Sequence, residues 1–215
     1  MPVGPLSLPA HLYLLAWDTS KSEAAGAAQV PQLVRAGALT ELARRGLLLD
    51  VDGIATPVDM DAETGDPVLD GLLELVRESR PHRWRSWVTP HTRFTLDAVR
   101  EQLTAGGHLH AKKRRALGLF PTVEYEPARP AAVEALQEQA RQILRGPVPA
   151  ADVSERDAAL VALAAAAELR TLLPRGEHPE GRVEELVERG GQVASVLREL
   201  VHGVRGAVAS VAARA

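Results

Sequence analysis

The run "AALVALAAAA", Ala158 to Ala167, is ten apolar residues without a charge. A helix that crosses a bilayer needs about twenty, so this run is half a span. Its residues are good helix formers and apolar on every side, which predicts a helix buried all round. Aromatics make up only 3 % of the chain, so Leu, Val and Ala must fill the core. The expected fold class is mainly α: a helical bundle around a buried Ala/Leu-rich central helix, with small β-hairpins, as one domain over residues 1–215.

The flanking sequence supplies the rest of the bundle. Val30, Leu33, Val34, Ala38, Leu39 and Leu42 recur at the helical period, and Gly46 ends that amphipathic helix. "LLLDVDGIATPVDM" reads as strand, Asp52-Gly53 turn, strand. Asp66 is placed to cap a helix that begins at Pro67 and turns Leu69, Leu72, Leu73 and Val76 inward. "TLDAVREQLTAGG" is a further helix closed by Gly106 and Gly107, and "HLHAKKRRALGLFPTVEYEP" reads as a hairpin with a basic tip. Three more helices are expected, over residues 130–144, 154–173 and 181–212. Trp84 and Trp87 read as core plugs rather than interfacial anchors.

Several chemistries find no footing. With no cysteine in the chain there is neither a disulfide framework nor a thiolate zinc site. The hydrolase GxSxG, the phosphate-binding GxxxxGK[ST] and the zinc-protease HExxH patterns do not occur. His108 and His110 lack a third ligand, and the acidic stretch from Asp50 to Asp66 fits no EF-hand register. Asp97 and Glu101 are spaced as a carboxylate pair on one helix face, but read as a solvated face. The chain is therefore expected to be no enzyme, with no cofactor and no metal. "MPVGPLSLPAHLYLLAW" lacks the basic start and small-residue cleavage site of a signal peptide, so a cytoplasmic protein is expected. Heavy use of Ala and Arg suits a GC-rich bacterial genome.

Two function classes fit the order of elements. Helix, strand, tight turn and strand is a winged-helix pattern, which would set the basic hairpin on a phosphate backbone. The supposed reading helix offers only Arg35, Arg44 and Arg45, with no Asn or Lys beside them for base edges, and the net charge is −3. Nucleic acid is thus the second reading.

The first rests on three stretches: "LTELARRGLLL", "TGDPVLDGLLELV" and "TLDAVREQLTAGG". In this order and at these intervals they resemble the Golgi phosphoprotein 3 family, as do the Ala-rich helix and the hairpin before it. The resemblance implies a mainly α-helical fold with a buried central helix and a β-hairpin used in self-association and membrane contact. It also implies a non-catalytic adaptor, peripheral on the inner face of the membrane. Such an adaptor binds phosphatidylinositol 4-phosphate-like head groups and captures the cytoplasmic tails of membrane proteins.

The family's head-group site uses a tryptophan and arginines. By resemblance Arg35 and Arg100 hold two arginine places, Asp97 stands where a third arginine would be, and Gly26 falls at the tryptophan's place. Guanidinium forks suit a phosphate monoester, whereas a carboxylate three residues from Arg100 repels one and can pair with the arginine. Surface ion pairing is the competing role for both arginines. Lys112, Lys113, Arg114 and Arg115, flanked by Leu109 and Leu117, are the expected membrane-contact or oligomerisation residues of the hairpin. Near an anionic leaflet each such charge contributes about 1 kcal/mol; the competing reading is a solvated turn.

Overall fold

The computed structural model describes residues 6–19, 23–24, 28–116, 120–174 and 176–213, with the backbone alone described at 23–24, 114–116 and 120–122. Helix α1 (Leu8–Leu15) is followed by a minimal ribbon of β1 (Trp17–Asp18) and β2 (Glu23–Ala24). Helix α2 (Val30–Arg44) leads through Gly46, at φ 69°, into β3 (Leu48–Val51) and β4 (Ile54–Pro57). The β3–β4 turn is Asp52-Gly53, both with positive φ, as the two-residue hairpin demands. Helix α3 (Pro67–Glu78) begins where Asp66 accepts the Val68 and Leu69 amides. A short helical turn at Trp84–Trp87 precedes α4 (Thr92–Ala105). Strands β5 (Leu109–Ala116) and β6 (Phe120–Pro127) form the longest ribbon, running from Leu109 opposite Pro127 to Ala116 opposite Phe120. Helices α5 (Pro130–Arg145), α6 (Glu155–Ala166), α7 (Glu180–Glu188) and α8 (Ala194–Ala212) complete the described chain.

The expected class holds: mainly helical, with small antiparallel ribbons. Helix α6 is buried from Ala158 through Ala166, as its all-round apolarity requires. It shares the centre with α2, which corrects the amphipathic reading of that helix. Every residue from Leu33 to Ala43 is buried, because α2 packs against α1, α3, α4, α6 and α8 together. Gly37 lets α1 come close: a Cβ there would lie 2.4 Å from Leu12 Cδ1 and 3.2 Å from Pro9 Cα.

Two helix ends also differ from expectation. Helix α6 stops at Ala166, not near Leu173, because Glu168 turns left-handed at φ 51° and the Leu169 amide donates back to the Ala164 carbonyl. The last expected helix is broken in two at Gly190-Gly191, with Gly191 at φ 61°. The tryptophans are plugs as read: Trp84 is fully buried with its Nε1 donating to Asp50 at 3.1 Å, and Trp87 is 3 % exposed. Gln137 ties α5 to α1 by donating to the Leu15 and Trp17 carbonyls.

Candidate anion-binding site

Helix α4 joins both candidate arginines. Its first turn faces Arg35 of α2. The Arg35 Nε donates to Thr95 Oγ1 and its Nη2 to the His91 carbonyl, each at 2.8 Å. Arg35 is only 1 % exposed, and its Nη1 has no hydrogen-bond partner. No carboxylate pairs with it among the described residues, so burial alone pushes its pKa down to about 10 from 12.5. A buried cation without a counter-ion is costly. The guanidinium is therefore held in shape by two bonds while one side still lacks an acceptor.

The surroundings of that guanidinium are the end of a helix. His91, the residue before α4, is left-handed at φ 54° and offers no side-chain cap, and the first turn contains no acid. Uncapped amides and the positive end of the helix dipole add to the field of Arg35. Phe94 is 74 % exposed there, its ring stacked on that of His91 at 6.1 Å.

Arg100 lies five residues beyond Thr95, roughly 7 Å further along the axis, in different company. Its guanidinium sits over the rings of Tyr13 and Tyr125, at 5.7 and 5.1 Å. Its Nε donates to the Tyr13 hydroxyl at 3.4 Å, and its Nη1 pairs with Asp97 at 3.4 Å. Burial raises the Tyr13 pKa, so this hydroxyl stays protonated. The pairing with Asp97 that the spacing allowed is thus made, and Arg100 ties α1, α4 and β6 together. Arg35 is internal instead of ion-paired at the surface.

The hairpin divides the expected contact residues. Leu109 is 1 % exposed and belongs to the core. This corrects its assignment to a contact surface: it starts β5 directly against the body and buries its side chain there. Lys112 and Lys113 are exposed, but neighbours on a strand point to opposite faces. Lys112 stands opposite Glu124 and pairs with Glu126, while Lys113 stands opposite the exposed Val123. Arg114 and Arg115 lie on β5 opposite Thr122 and Pro121; Leu117 and Gly26 lie outside the described residues.

Sequence reasoning missed His91, Thr95 and Phe94 because helix α4 starts three residues before the expected Thr95. It also passed over Glu124 and Glu126, although counting across the hairpin would have set them beside the cations. A cleft of about 430 Å³ between α1 and α5 is lined by Leu6, Leu14, Val133 and Leu136, with His11, His108 and Arg129 among its polar groups. Among the described residues no cluster of His, Asp or Glu could hold a metal, and no helix is long and apolar enough to cross a membrane. Helix α2, the supposed reading helix, is buried from Leu33 to Ala43.

These features define a mainly α-helical protein whose chemical handles are cationic groups at one helix end and on a two-stranded ribbon. A family model described as Golgi phosphoprotein 3 (GPP34) matches residues 8–204, and the chain belongs to that family. No curated protein matches it significantly. At the level of the family it is a Golgi phosphoprotein 3-like adaptor.

Proposed function

We propose that this protein is a non-catalytic peripheral membrane adaptor that binds anionic lipid through a phosphate head group of the phosphatidylinositol 4-phosphate type. The observation that carries the reading is Arg35: a buried guanidinium with two nitrogens fixed by Thr95 and His91, and a third with no partner. A phosphate oxygen is the kind of acceptor that nitrogen lacks, and the uncapped end of α4 favours the same charge. Family membership supports the adaptor class, and the resemblance implies tails of membrane proteins as the cargo. Arg100 belongs to the support of the site, because Asp97 and two tyrosine faces already engage it. Lys112 and Lys113 add weak, non-specific attraction on the exposed part of the hairpin.

Vesicle flotation tests this. The protein is expected to float with vesicles containing phosphatidylinositol 4-phosphate more than with charge-matched phosphatidylserine vesicles, and not with neutral ones. Arg35→Met is expected to remove the preference for the phosphoinositide. Equal partitioning to neutral and anionic vesicles would refute the proposal.

A further inference from the structure

We infer that Phe94 is the side chain this protein inserts into the bilayer interface, so that the membrane is met by the start of α4 with the Arg35 guanidinium behind it. The inference rests on the anionic-lipid reading above and assigns it a specific contact residue.

Three observations converge on this end of the helix. Phe94 is the most exposed of the exposed large apolar side chains among the described residues, at 74 %, against 62 % for Met60 and 54 % for Val58. It lies between His91 and Thr95, the two residues that hold Arg35, so an inserted ring would set the head-group layer against the helix end that covers this buried guanidinium. It is also held in place: its amide donates to the His91 carbonyl at 3.2 Å, and its ring stacks on the His91 imidazole at an interplanar angle of 29°.

The charges suit a negative surface. Arg93 is exposed beside Phe94 and has no ion pair among the described residues. The nearest acid on the helix, Asp97, is turned to Arg100. An aromatic ring sits favourably at the level of the head groups. A bilayer is thus the occupant for which this patch has both an apolar anchor and cationic neighbours.

The test uses the full chain, with Phe94→Ser and Phe94→Trp. Burying a phenylalanine side chain is expected to account for about tenfold in partitioning, so Phe94→Ser should float with phosphatidylinositol 4-phosphate vesicles about tenfold less than wild type. Its affinity for soluble inositol 1,4-bisphosphate should be unchanged, because Arg35 is untouched. Phe94→Trp should gain fluorescence quenching by brominated lipids relative to wild type, whose Trp17, Trp84 and Trp87 are all buried. Wild-type flotation with no loss in Phe94→Ser and no added quenching in Phe94→Trp overturns the inference and leaves the head-group reading standing. A wild-type protein that binds neither the vesicles nor the soluble head group removes both.

Discussion

At the residue scale the molecule is organised around a charge it does not neutralise. The Arg35 pKa falls from 12.5 to about 10 on folding. At pH 7 the side chain is charged in both the folded and unfolded chains, so the whole penalty is present, on the order of 3 kcal/mol, and it lifts only as pH rises through that interval. Arg35→Met removes the buried charge but also two hydrogen bonds. These effects oppose each other, so the melting temperature is expected to move little while anion binding is lost. The wild type should melt higher in phosphate or inositol phosphate, since a ligand that binds only the folded state stabilises it; Arg35→Met should not respond. Thermal denaturation with and without the anion measures both.

His11 carries the same kind of sensitivity at lower pH. Burial first, and Arg156 second, lower its pKa below 6.5. The unfolded chain therefore binds the proton more readily, so stability is greatest above pH 6.5 and declines as the pH falls below it. Melting curves from neutral to mildly acidic pH should show a shallower decline for His11→Gln than for wild type.

At the element scale, close approach and ring stacking decide what moves. Helices α1 and α2 touch at Gly37, where Leu8, Pro9 and Leu12 leave no space for a side chain. Gly37→Val is expected to destabilise by about 2 kcal/mol, despite removing a poor helix former, as denaturant unfolding will report. The hairpin is held at its base by Leu109 in the core and by Tyr125 against Arg100. Tyr125→Ala should weaken that attachment by about 1 kcal/mol and speed amide exchange along β5 and β6 while leaving α6 protected.

At the scale of the whole molecule, the formal charge of −3 gives no long-range attraction to an anionic surface. Any such binding must come from local cations, and the hairpin stretch from Leu109 to Pro127 contains Glu124 and Glu126 as well as its four basic residues. Vesicle binding should therefore fall several-fold as salt shortens the Debye length from about 10 Å towards 3 Å. Lys112→Glu with Lys113→Glu should lower it less than Arg35→Met does. Flotation at several ionic strengths checks this order.

Local signals in the chain were enough for much of the architecture. Helical periodicity, the Asp66 cap, the Gly46 stop and the Asp52-Gly53 turn act within a few residues, so they fixed the order of elements without help from distant parts. The apolar run at Ala158 specified a buried helix for the same reason, since a surface has no use for a helix apolar on every side. Packing decided the rest. Helix α2 has a visible apolar stripe, yet its remaining faces are covered by neighbours that no local pattern names. The end of α6 at a left-handed Glu168 and the start of α4 at Thr92 are likewise marked by neither a glycine stop nor a capping side chain. Packing also decided the chemistry of Arg35 and Arg100: the same residue type is sealed beside Thr95 in one case and spread between two tyrosines in the other. A guanidinium acquires its function from what surrounds it, and for both arginines those surroundings come from other elements of the fold.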